Sequence, residues 1–518
     1  ERELHFNPGD CYDPFLLQET ERLLRAYDFL AQVDVFGIPQ PDGSYHVVVD
    51  TRDQWSTSLD LRIGFDRGFY IDGMRLRETN LLGRGQEIAF SYRNREVTRD
   101  YGVTFGTRQF GGTRWDLRTA FGKTRAGSFV DQTVTYPFVG EVGRYAARQS
   151  FTREDQFFDY IFDTPERPSQ HILVPVRQKT FDVGIGARLG HRGNLTVIGA
   201  MLTYQELTFP GQPELADQGD FDERVPVDSA LQRQLLIQRE PLGNVRLGAV
   251  FGQRNVWWVK KRGYDAMRGQ QDVPLGADVT LAIARSLAAL ERNNDLAATF
   301  KLYAGIEAGL ALFTTRVRVD ARRDFEAAAS AHEWEDVYGE AESLNYLRPT
   351  ARGRHTLLFR AAAAGAWNTT TPFQLTLGGE RNLRGYRYDR FPGGRRAVFN
   401  LEDRIYFGWP LPDVMDLGAT IFADVGRIWP GDVPFGRDSG WRKTIGAGLR
   451  GSFPANSRTS FRLDFATALE GGFSWRGVRM ILSASEILGL GAGDSPDTQL
   501  LRSRNEGLAG ELFRSTNR

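Results

Sequence analysis

The chain has 518 residues, with 65 basic and 65 acidic side chains interspersed and no formal net charge, so it offers no basic stripe to nucleic acid. Cys11 is the only cysteine, which excludes an internal disulfide and a thiolate zinc cluster. No stretch approaches the roughly 18–20 apolar residues of a membrane helix, so a membrane could be crossed only by a closed barrel, the other structure that satisfies every backbone group in lipid. Mean hydropathy is −0.39. That value fits a soluble β protein, and it equally fits a barrel whose strands alternate apolar and polar residues between lipid and a wet lumen. Glycine (56 residues) and aromatics (12%) suit many strands, turns and interfacial girdles. Glu1-Arg2-Glu3 is polar with no apolar segment behind it, so the numbering is expected to be that of a mature form.

Residues 1–54 read as a small α/β domain. Leu4 and Phe6 are candidates for a first strand. Asp13-Pro14 is a helix start, with Asp as N-cap and Pro at the first helical position. Leu16, Leu23, Leu24 and Tyr27 then form one apolar stripe. A strand at 32–37 follows, then the turn Pro41-Asp42-Gly43, then a second strand through Tyr45, Val47 and Val49. A domain this small is expected to lean on its neighbour.

From Trp55 the period changes to two. Leu59, Leu61, Ile63 and Phe65 alternate with Asp60, Arg62, Gly64 and Asp66; Phe461, Leu463 and Phe465 alternate with Arg462 and Asp464. The ordinary alternative is a soluble antiparallel sheet with one face on a core. Persistence over about 430 residues, with no long amphipathic helix to cover the apolar faces, favours a barrel, which also removes the sheet edges. Direct counting gives 18 strands between 55–67 and 478–485, none of them in 68–84 or 324–346. Polar spans at 163–170, 210–234 and 324–346 read as long extracellular loops. Residues 486–518 read as a polar tail.

Gly446-Ala447-Gly448-Leu449-Arg450-Gly451 matches GxGxxG, but a turn, Ser452 to Asn456, follows where a dinucleotide site needs a helix. Strand glycines account for it better. The chain carries no P-loop, GxSxG or HExxH motif. It is expected not to be an enzyme and to need no metal or cofactor. The informative stretch is 377–407. Glycine density at Gly378, Gly379, Gly385, Gly393 and Gly394 marks a folded loop where backbone approaches something closely. Alternation puts Thr420, Phe422, Asp424 and Gly426 on the lumen side, with Gly446, Gly448 and Arg450 inward on the next strand. Arg384 at the loop tip is therefore expected inside the barrel, paired with Asp424 and near Glu402, with the small inward glycines leaving it space.

These residues resemble the BamA/TamA superfamily of POTRA-barrel outer-membrane proteins. Leu383-Arg384-Gly385-Tyr386 matches the family's Arg-Gly-(Phe/Tyr) loop tip. Phe422-Ala423-Asp424-Val425-Gly426 matches its Phe-x-Asp-x-Gly strand, Gly446-Ala447-Gly448 its Gly-x-Gly strand, and Glu402-Asp403-Arg404 its Glu-x-Arg strand. Asn80 through Gly85 resembles its first barrel hairpin. The resemblance implies an all-β transmembrane barrel of 16 antiparallel strands at 55–485, against the direct count of 18. It also implies an inward-folded loop near 378–396, one POTRA (polypeptide-transport-associated) domain at 1–54, and a loop–lumen lock joining Arg384 to Asp424. The departures are the single POTRA domain, the tail, and Asp403 on the lipid phase.

The function implied is insertion or translocation of polypeptides at the bacterial outer membrane. Unfolded outer-membrane or secreted chains would be received by the POTRA domain in the periplasm and passed to a barrel set in outer-membrane lipid. The alternative is a structural or accessory barrel bound to periplasmic or envelope-complex partners, or one that passes lipid or solute.

Overall fold

The computed structural model describes all residues except 1–2, 66–68, 96–97, 163–169, 218–219, 237, 288–292, 327–332, 350–352, 388–389, 409–413, 458–459, 471–476 and 484–518. The tail and most of the 163–170 span therefore lie outside the described residues.

One long sheet dominates, every neighbouring pair antiparallel, and its pairings run in a ring from the strand Thr57–Phe65 to the strand Arg479–Ser483 and back. Among the described residues, and setting aside the rim hairpin Glu214–Asp217/Asp220–Pro226, twenty strands follow one another in the ring. This corrects both the sixteen implied by resemblance and the eighteen counted directly. The two uncounted strands are Phe69–Leu81 and Trp334–Leu347. In the first, the register shift between Arg62 and Ile63 of its partner breaks the alternation opposite Asp72-Gly73. In the second, the outward row is Gly339, Ala341, Ser343 and Asn345, whereas Asp336, Glu340 and Glu342 turn inward. Small residues outside and acids inside mimic a polar loop. Consequently the turn 82–85 joins the second and third strands, not the first two. The span 210–234 is not plain loop either: it holds the rim hairpin and the helix Ser229–Leu236.

Along Asp416–Trp429 every even residue is buried and every odd one is more exposed. The outward rows carry exposed Ile421, Leu449, Phe465, Leu281 and Phe251, an apolar wall that water would not tolerate over a whole ring. Trp55, Tyr145 and Trp257 stand exposed toward one end, Trp367 and Trp441 toward the other, in the manner of two interfacial girdles. Among the described residues no helix is long and apolar enough to cross a membrane.

The N-terminal lobe is one helix, Pro14–Arg25, on a hairpin of Leu30–Pro39 with Tyr45–Asp53. The Asp13 carboxylate caps the helix by accepting the Phe15 N–H at 2.9 Å. Leu17, Tyr27, Leu30, Val33 and Val35 form its core. Leu4 and Phe6 are not in a strand; Phe6 instead packs against that core. The helix departs from a one-sided stripe: Glu19, Glu21, Arg22 and Arg25 are also buried, each about as deeply as Leu17.

The reason is that the helix faces the barrel mouth. Two turns on that side, at 137–144 and 263–269, fold inward. Phe138 joins Val197, Met201 and Val250 of the lumen wall, and Tyr264 joins Leu312, Tyr346 and Leu358. The helix grips both neighbourhoods. Glu19 accepts the Glu141 N–H at 2.8 Å, and Arg22 lies 4.6 Å over Trp258. Arg25 reaches Asp272 at 2.7 Å, and Lys260 pairs with Glu21. Gly140, at φ +58, fits because a Cβ there would lie 2.6 Å from the Glu19 carboxylate. Burial works against the Glu141 charge, but bonds from Arg254 outweigh it and hold the carboxyl at about 2. The stability Glu141 lends to the inward turn is fully present above 4.5, its ordinary value, and is lost only as pH falls through about 2.

Arg25→Glu sets a carboxylate against Asp272 and Glu21. Stranding buried charge costs about 3–5 kcal/mol, so limited proteolysis of the detergent-solubilised protein should release the lobe roughly tenfold faster or more. Adding Asp272→Arg to that variant should restore resistance. An unchanged cleavage rate in Arg25→Glu would show that the lobe is held some other way.

Candidate functional site

The site grows from the connection between the strands His355–Trp367 and Arg395–Tyr406. Instead of lying on the rim, this loop enters the lumen. Its short strands Leu375–Leu377 and Phe391–Gly393 pair with each other, and Phe373, Leu375, Leu377 and Leu383 pack on the wall residues Tyr338, Val398 and Ile428. The tip turns through Gly378 at φ +138 and Gly379 at φ +86, a region closed to most side chains. The Gly379 N–H then donates to the Tyr386 carbonyl at 3.1 Å, and the Tyr386 N–H to the Leu383 carbonyl at 3.0 Å.

Arg384 stands at that tip with no exposed surface. Its Nη2 donates to Asp424 Oδ1 at 2.7 Å and its Nε to Oδ2 at 3.1 Å, the two parallel bonds of a guanidinium fork on a carboxylate. Its backbone N–H also reaches Oδ2, at 3.1 Å, so Asp424 holds the loop backbone as well as the side chain. Nη1 donates to Glu402 Oε2 at 2.8 Å, and the guanidinium lies 3.4 Å over the Phe422 ring. Asn400 and Thr444 donate the remaining bonds to Asp424, at 2.9 and 3.0 Å.

Glu402 receives three guanidiniums: Arg384, Arg404 at 2.7 Å and Arg462 at 3.1 Å. Arg462 continues to Asp464 at 2.9 Å. Arg404 continues to Asp265 at 2.9 Å, on the inward turn 263–269. Tyr346 donates to that same carboxylate at 2.6 Å, and Arg450 donates to the Asp265 carbonyl at 2.7 Å. The loop from one end and the turn from the other therefore meet on a single lattice of arginines and carboxylates.

The glycines make room for it. A Cβ on Gly446 would lie 2.3 Å from the Phe422 ring, and one on Gly448 would lie 2.0 Å from the Asp464 carboxylate. On Gly426 it would press the Leu377 methyl at 2.9 Å, and on Gly385 the Thr467 backbone at 2.5 Å. Tyr386 stands outside the ionic centre. Its ring meets Phe391 edge-on at 5.3 Å, and Arg479 of the last strand donates to its carbonyl. Asp403 points outward as its phase requires, paired with His355 at 2.9 Å near the lobe-side end of its strand. Sequence reasoning did not assign roles to Arg462, Asp464, Asn400 or Asp265. The first two carried a signal, two ionisable groups on the inward phase of one strand; Asp265 carried none.

No protein-family model matches the chain, and no curated protein does. Among solved structures, BamA from Haemophilus ducreyi lacking POTRA domains 1–3 is similar at 11% identity and TM-score 0.43, over 93% of this chain and 80% of that one. CdiB from Escherichia coli is similar at 13% identity and TM-score 0.47, over 93% and 73%. The outer membrane protein opdK from Pseudomonas aeruginosa is similar at 11% identity and TM-score 0.34, over 82% and 96%. Identities and scores this low assign the chain to none of them.

Arg384→Ala and Asp424→Ala should each lower stability by about 3–5 kcal/mol, since each strands a buried charge. The double variant should fall well short of the sum, because both changes remove one interaction. Arg384→Lys should not rescue, lacking the planar fork. The measurement is the temperature at which the folded, fast-migrating band is lost on semi-native electrophoresis; fully additive shifts would contradict the pairing.

Proposed function

We propose that the chain is a POTRA-barrel outer-membrane protein of the BamA/TamA superfamily, with its 1–54 lobe in the periplasm, and that it inserts or translocates unfolded outer-membrane or secreted polypeptides. The observation that carries this reading is Arg384 on Asp424 and Glu402, because it joins the loop-tip, Glu-x-Arg and Phe-x-Asp-x-Gly motifs at one point. In that reading the lattice is a lock that keeps the loop inside. A lobe hairpin edge could receive an extended client by strand addition.

A second reading, a barrel anchoring periplasmic or envelope-complex partners, is favoured by the docked lobe: four buried helix charges give it little freedom to swing. A solute-passing barrel is disfavoured by the loop and the two turns that occupy the lumen. Depletion of the protein followed by quantitative proteomics of the outer membrane separates the readings. Insertion or translocation predicts that other barrels or secreted chains decline within a few generations. An unchanged complement of both would contradict it and leave the anchoring role.

A further inference from the structure

At the end of the barrel away from the lobe, the outward face changes chemistry in one step. Along neighbouring strands, Leu281, Phe300 and Val319 form one outward rung, and Ile283, Ala298 and Ala321 the next. The rung above them is Arg285, Leu296 and Arg323. Two guanidiniums thus share the lipid-facing side of the sheet, two strands apart and roughly 9–10 Å by strand spacing. Both turn toward one exposed ring. Arg285 lies 4.4 Å and Arg323 5.1 Å from the centre of Phe325.

Other outward arginines at this end also lie over rings, and each has a carboxylate. Arg395 over Trp367 pairs with Asp432 at 3.2 Å, and Arg427 over Trp429 pairs with Asp438 at 2.5 Å. Arg323 has Glu333 at 2.9 Å, a side chain that is 72% exposed. Arg285 has none among the described residues. Its bonds go to the Asp295 carbonyl, Ser286 and Asn294, all neutral acceptors that orient the fork without cancelling its charge. Two like charges at an apolar edge repel, and an anion seated between them removes the repulsion. A guanidinium fork matches a phosphate through paired hydrogen bonds.

We propose that Arg285 and Arg323 clamp a phosphate of an outer-leaflet lipid, with Phe325 as the apolar floor beside its acyl chains. The assignment of leaflet rests on the orientation proposed above. The lipid source is favoured over free phosphate because the clamp sits directly above two rungs of lipid-facing apolar residues, where a headgroup and its chains are met together.

The test uses the full chain in phosphatidylcholine nanodiscs doped with diphosphorylated lipid A, with retained lipid counted by native mass spectrometry. Wild type should retain the phosphorylated lipid. Arg285→Gln with Arg323→Gln should weaken retention roughly tenfold or more, since a hydrogen bond to a charged group contributes about 1.5–3 kcal/mol. Arg395→Gln, with its own ring and carboxylate, should retain the lipid as wild type does. Equal retention by the double variant, equal retention of dephosphorylated lipid A, or full displacement by millimolar inorganic phosphate would each overturn the proposal. The orientation fails separately, if exposed Cys11 reacts with a membrane-impermeant thiol reagent in intact cells.

Discussion

Everything inside this barrel depends on charge balance around Glu402. A carboxylate with no exposed surface is tolerable only when guanidiniums surround it, and Arg384, Arg404 and Arg462 do so. Besides Glu402, those three cations lie against Asp424, Asp464 and Asp265, so no member can leave without stranding a buried partner. Arg384 is the member that belongs to a loop rather than a strand. That mutual pairing fixes the loop inside the lumen.

The wide ring makes a second demand. Barrel diameter grows with strand number, and a lumen much wider than an eight-stranded one is not filled by wall side chains alone. The chain fills it from both ends with backbone: the 368–394 loop from one side and the 137–144 and 263–269 turns from the other. Each insertion brings a carboxylate or guanidinium to a partner already on the wall: Arg384 to Asp424, Glu141 to Arg254, Asp265 to Arg404. The lobe helix then closes on the first turn through Glu19, and on the strand ends flanking the second through Glu21, Arg22 and Arg25.

Much of this was legible from residues. The helix start at Asp13-Pro14, the change of period at Trp55 and the inward phase of Asp424 each have a local cause, and each reads directly from spacing. The inward Gly446 and Gly448 were legible as space, though what fills it, Phe422 and Asp464, was not. Strand number failed where a bulge at Asp72-Gly73 and a small-residue outward row at Gly339–Asn345 erased the apolar alternation. The helix of the lobe misled for a related reason. Its buried charges look solvated until the Lys260, Asp272 and Glu141 region is brought against them, and those contacts span more than a hundred residues of sequence. The role of Asp265 was invisible because nothing local distinguishes a turn that folds inward from one that stays on the rim.

The central claim is that the ionic lattice holds the 378–387 tip inside the lumen. Amide hydrogen exchange of the protein in nanodiscs, followed by mass spectrometry over that segment, tests it most directly. The lattice predicts slow exchange at Gly379, Arg384 and Tyr386, comparable to the neighbouring strand Asp416–Trp429, and fast exchange there once Asp424 is changed to Asn. Exchange in the wild type as fast as in an exposed rim turn would contradict it.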